Sequence, residues 1–85
     1  MGSGNPEVIL EALKSGRSHL SVHAAERMAD RSVTQADIQA CGRTATSCLH
    51  QSRKGTFRVE GLDLDGQPLT IICAVDGTVV VVTIF

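Results

Sequence analysis

The stretch "PLTIICAVDGTVVVVTIF", residues 68–85, limits the fold more than any other part of the chain. It consists of two apolar, largely β-branched runs joined by Asp76-Gly77, and neither run leaves a polar face. Strands of this kind lie inside a sheet or are covered on both faces. Asp-Gly is the signal of a two-residue type I′ hairpin turn, which sets Val75 opposite Thr78 and Ile72 opposite Val81. A bare "VVVVTIF" edge is a template for pairing with other chains, so something must lie beside it. A chain of 85 residues buries only about two-thirds of its unfolded surface and supports one core. The rest of the sequence must therefore supply the cover.

From residue 45 onward the hydrophobic period is strand-like. "ATSCLHQ" is followed by the polar turn "SRKG", then by "TFRVEGLDL" and a second Asp-Gly turn at 65–66. Phe57 and Val59 alternate in one phase while Leu62 and Leu64 follow in the other, which predicts a bulge at Gly61. Before residue 45 the period is helical. Asn5 and Pro6 form a cap and first turn, Val8, Ile9, Ala12 and Leu13 recur at helical spacing, and Gly16 stops the run. "RSHLSV" is an extended connector or a short strand at 18–22. "HAAERMADR" predicts an amphipathic helix whose core side is Val22, Ala25, Met28 and Ala29. On the adjoining face His23, Arg27 and Arg31 form a basic stripe. Like charges one turn apart cost such a helix roughly 0.2–0.5 kcal/mol. Thr34 and Asp37 form a capping box with Val33 stapled onto Ile38, and Ile38, Cys41 and Ala45 dock the helix on the same core, with Gly42 lowering its helicity. The expected fold is α+β, with two or three N-terminal helices packed on an antiparallel four-stranded meander, with or without a short extra strand at 18–22. Residues 1–5 read as a flexible start or a cloning remnant. Residues 6–85 read as a single domain, with a helix over 6–16 and a core over 17–85.

Composition narrows the function classes. The chain is 42% hydrophobic and 20% charged, with a net charge of −1. It shows no membrane-length apolar run and no secretory signal, so a cytoplasmic protein is expected. The charge is uneven. Arg17, Arg27, Arg31, Arg43, Arg53, Lys54 and Arg58 outweigh Glu26, Asp30 and Asp37 over residues 17–58, whereas Lys14 alone faces six carboxylates elsewhere. A basic face on a nearly neutral protein is therefore available. Cys41, Cys48 and Cys73 are odd in number and lack C-x-x-C spacing, so reduced core thiols are expected rather than a disulfide framework. A zinc site from Cys48, His50 and Cys73 lacks a fourth ligand. No metal and no cofactor are expected.

"HAAERMADRSVTQADI" resembles the opening motif of the bacterial family called domain of unknown function 4258. The similarity extends over residues 17–85, through the basic strand-turn-strand from His50 to Arg58, the "GQPL" at 66–69 and the C-terminal "VVVVT". That family looks like a branch of the RelE-type toxin superfamily, similar to the RelE, BrnT and MqsR ribonucleases. The resemblance implies a RelE-like fold, a toxin of a toxin-antitoxin pair that cleaves mRNA without metal, and an antitoxin protein as partner. Ribosome binding and a homodimer are further partner possibilities. Such cleavage needs a base for the 2′-hydroxyl, an acid for the leaving oxygen and cations for the developing charge. His23 or His50 suits the acid and base roles. Arg27 and Arg58 suit the charged centre, Arg31, Arg53 and Lys54 suit RNA phosphates, and Phe57 is the candidate stacking surface. Arg58 sits in mid-strand among apolar neighbours and needs a partner or a ligand. Ser32 stands where the motif often has glycine. The chain has no tyrosine, a residue that RelE-like enzymes often use, which keeps a second reading open. That reading is a non-catalytic interaction module of the same fold that dimerises or docks a protein. Arg27 and Arg58 buried in carboxylate pairs favour the module, while both pointing into an open cleft beside a histidine favours the enzyme.

Overall fold

The computed structural model describes residues 5–51 and 55–85. Their elements run α1 (Pro6–Ser15), β1 (His19–Leu20), α2 (Val22–Arg31), α3 (Gln35–Thr44), β2 (Ser47–Gln51), β3 (Thr56–Leu62), β4 (Pro68–Val75) and β5 (Val79–Ile84). The polar turn expected around Arg53 and Lys54 lies outside the described residues.

Helix limits follow local chemistry. Asn5 Oδ1 accepts from the Val8 amide at 3.0 Å, and Pro6 opens α1. Thr34 and Asp37 form the expected capping box on α3, and Asp37 Oδ1 also accepts from the Leu64 amide at 3.0 Å. One carboxylate thus caps a helix and anchors the loop between β3 and β4. The phase of α2 differs from expectation. Ala24 and Met28 are its buried residues, whereas Val22 is 78% exposed and Ala25 and Ala29 face solvent. Ser21 sets that phase, because its hydroxyl accepts from the Ala24 amide at 2.9 Å and donates to the Val82 carbonyl at 2.7 Å.

The sheet has five strands in the order β1-β5-β4-β3-β2. β2 to β5 pair antiparallel in chain order, and β1 returns to lie parallel to β5, with His19 beside Val80 and Leu20 beside Val81. The sheet is therefore mixed, and β4 and β5 are interior as their apolar faces require. Two details of register correct the sequence-based expectation. Val75 pairs with Val79 and Ile72 with Thr83, because the turn at 76–78 is one residue longer than a type I′ turn and β5 carries a bulge opposite Ile72/Cys73. Type I′ needs positive φ at both central residues. Among the described residues other than glycine only Ser32 has it, so neither Asp65 nor Asp76 fits that turn. Gly61, for its part, is not a bulge. The β3–β4 register runs unbroken from Phe57↔Cys73 to Leu62↔Pro68. A Cβ at Gly61 would stand 2.5 Å from the Cys41 carbonyl oxygen, so the residue is small because α3 crosses there.

The core is a single layer between one sheet face and the three helices. Ile9, Leu13, Ile38 and Met28 meet Phe57, Val59, Ile71, Val81 and Ile84. Cys41 and Cys73 belong to it, and burial pushes their thiols up to about 11 and about 12. They are neutral packing groups at physiological pH.

Two outcomes test this account. Ser32 closes α2 at φ 57°, ψ 35°, a left-handed conformation that costs a residue with a Cβ roughly 1–2 kcal/mol. Glycine relieves that cost but gives back part of it through unfolded-chain entropy. Ser32→Gly should raise stability by about 0.5–1 kcal/mol in urea unfolding with an unchanged slope. For Asp37, hydrogen bonds from the Thr34 and Leu64 amides hold the carboxyl below its ordinary 3.8. A depressed carboxyl stabilises the fold above its unfolded pKa, and this contribution disappears as pH falls through the folded value. Asp37→Asn should therefore cost about 1–2 kcal/mol at neutral pH. The gap from the parent should begin to narrow as the pH falls below about 3.8 and should close only below the lower folded value.

Candidate functional site

Because Phe57 and Val59 point into the core, the pleat of β3 sends Thr56, Arg58 and Glu60 to the face that no helix covers. Pairing extends this row across the sheet. Leu49, Arg58, Ile72 and Thr83 stand side by side on four strands, with Ser47, Glu60 and Thr70 in a parallel row. Arg58 Nε donates to Glu60 Oε2 at 2.9 Å, and its guanidinium carbon lies 6.0 Å from the centre of the Phe85 ring. Both partners are almost half exposed, 42% and 46%, so the pair is worth at most about 1 kcal/mol. Its importance is that it occupies the one arginine on this face among the described residues.

Beside Arg58 is a shallow depression of about 290 Å³ lined by Gln51, Thr56, Arg58, Ile72, Val82, Thr83 and Phe85. Thr56 donates to Gln51 Oε1 at 3.0 Å, which leaves the Gln51 amide nitrogen as a donor. The depression can take a polar or anionic group on Arg58 and Gln51 with an apolar or flat group against Phe85 and Val82. Sequence reasoning found Arg58 but missed Gln51, Thr83 and Phe85. The alternation of Phe57 and Val59 already implied Thr56 beside Arg58. The position of Thr83 depends on the bulge, which leaves no mark in the hydrophobic pattern.

The other expected site residues lie elsewhere. His23 and Arg31 are exposed on α2, on the helix side of the sheet. Arg27, one turn from each, is half buried and its Nε donates to the Ile84 carbonyl at 3.4 Å; among the described residues no carboxylate pairs with it. His50 also faces the helix side, at the far edge, with its ring 4.8 Å from that of Phe57. The register row His50, Phe57, Cys73, Val81 and Leu20 crosses four strand spacings, about 19 Å. His50 and the start of α2 therefore stand at opposite edges and do not share one phosphate. Arg58 is on the other face from both histidines. Its approach to Arg27 is through the end of β5, where one meets Ile84 and the other Phe85. Phe57, expected as a stacking surface, is only 4% exposed and belongs to the core. Phe85 takes its place as the exposed ring near Arg58. Arg53 and Lys54 lie outside the described residues.

Among the described residues no three His, Cys, Asp or Glu side chains lie close enough to hold a metal ion. Phe57 stands between His50 and Cys73 in the register, which separates two members of the Cys48, His50 and Cys73 set that already lacked a fourth ligand. Among the same residues no helix is long and apolar enough to cross a membrane.

Comparison with curated proteins and with solved structures gives no match. One family model matches residues 20–85, which takes in Leu20 of β1, all of α2 and α3 and the whole of β2 to β5 but leaves out α1. By that match the chain belongs to the family described as domain of unknown function (DUF4258).

Proposed function

We propose that this chain is a non-catalytic interaction module of RelE-like fold, whose uncovered sheet face receives a protein partner. The observation that carries the reading is the state of Arg58. It is held by Glu60 on its own strand, among Leu49, Ile72 and Val82, and both histidines of the expected acid-base pair lie on the other side of the sheet. A general acid or base must come within hydrogen-bond reach of the proton it moves. No histidine among the described residues lines the Arg58 depression. The RelE-like part of the proposal rests on the strand-helix-helix-sheet order of β1, α2, α3 and β2 to β5, and in that setting the partner is an antitoxin protein.

The ribonuclease reading keeps one observation of its own. His23 is exposed one turn from Arg27 on α2, so a proton-transfer group and a cation are adjacent there. A direct assay separates the two. Purified protein should leave single-stranded RNA intact with or without chelator, and should leave protein synthesis unchanged in a cell-free translation extract. RNA cleavage that survives chelator and falls about 100-fold or more in His23→Ala or Arg58→Ala, the scale of a lost acid-base group, overturns the module. So does a collapse of translation that His23→Ala prevents.

A further inference from the structure

The two edges of the sheet are protected very differently. β1 is two residues long and runs directly into α2, whose cap Ser21 is bonded to Val82. It offers an incoming strand almost nothing. β2 is five residues long, and its register with β3 is unbroken from Ser47↔Glu60 to Gln51↔Thr56. Edge strands are ordinarily kept from pairing by a charge, a proline or a bulge. None of Ser47, Cys48, Leu49, His50 and Gln51 is a proline, lysine, arginine or carboxylate. Its central residue, Leu49, is 61% exposed.

We propose that β2 is a homodimerisation edge, at which two copies pair antiparallel about a twofold axis through Leu49 and join their sheets into one. This rests on the interaction-module reading and goes beyond it, adding a second copy at the sheet's edge to the protein partner on its open face. The strand is its own complement. With Leu49 facing Leu49 of the second copy, Ser47 faces Gln51 and Cys48 faces His50, and each remaining pair is repeated by symmetry. The outward N–H and C=O groups of β2 then gain partners, and a hydroxyl meets an amide across the join. The charges are compatible too. Arg58 stands directly behind Leu49 on β3, so the two copies of Arg58 are three strand spacings apart, about 14 Å. That exceeds the screening length of about 8 Å at physiological salt. Each Arg58 keeps its own Glu60. Five paired residues with one leucine per copy make an interface below the standard size, so the dimer dissociates on dilution.

Sedimentation of the full chain over about a hundredfold range of concentration reads this mass action directly. The weight-average mass should climb from 9.0 kDa toward twice that value. Leu49→Lys should remain monomeric throughout, with the circular dichroism of the parent and, at dilutions where the parent is itself monomeric, its urea midpoint, since the side chain it replaces is largely in solvent. Register is tested in a Cys48→Ser background. Leu49→Cys should cross-link to a covalent dimer under mild oxidation, whereas Gln51→Cys should not, because the two copies of residue 51 stand about 14 Å apart in this pairing. A parent that is monomeric at every concentration, a dimer that Leu49→Lys leaves intact, or cross-linking at 51 as fast as at 49 overturns the proposal. Any of these results leaves the RNA and translation assays to decide the module reading separately.

Discussion

One layer of apolar side chains holds this molecule together, and there is enough sequence for only one. Every large, fully buried side chain, from Ile9 and Leu13 to Ile71, Val81 and Ile84, lies between the three helices and a single face of the sheet. The opposite face is left to mixed, half-exposed residues. This constraint fixes which side of each strand is structural and which is free to meet something else. It explains why the basic residues do not converge. The α2 stripe belongs to the helical layer and Arg58 to the open face, and the sheet stands between them.

Closing that layer requires compensations at the backbone. Val79 and Val81 face inward at odd positions, and Ile84 faces inward at an even one. Only the bulge opposite Ile72/Cys73 allows all three to reach the core, since a regular strand would turn Ile84 outward. Where α3 crosses β3, and where it crosses α1, the approach is too close for a side chain. Gly61 and Gly42 stand at those crossings, and a Cβ on Gly42 would lie 2.8 Å from that of Leu13. The cost of Gly42 to helix propensity is offset by the contact it permits.

Local chemistry was the part of this fold most open to reading from the chain. The caps of α1 and α3 depend on side chains within three residues, so Asn5, Thr34 and Asp37 announced them, and the alternation of Phe57 and Val59 announced the outward direction of Arg58. Features that depend on a distant partner left weaker marks. The phase of α2 is set by Ser21 reaching Val82, not by the apolar residues of α2 itself, and so helical spacing puts Val22 in the core while the structure leaves it in solvent. Gly61 signalled something unusual, but the sequence does not distinguish a bulge from a close helix crossing. The same limit applied to the site. Arg58 could be picked out, while Phe85 and Thr83 came beside it only through the register of β5.

The parallel seat of β1 beside β5 also sets an order of events in time. The Ser21 hydroxyl meets the Val82 carbonyl 61 residues further along the chain. At synthesis rates of roughly 5–20 residues per second, a nascent chain waits about 3–12 s between making one partner and the other. The hairpins of β2, β3 and β4 involve short separations and can pair in that interval, whereas α2 has no strand to settle on until β5 emerges. A long-range contact of this kind slows folding because loop closure precedes any gain from packing. During synthesis, α2 is therefore the last part of the domain to find its place.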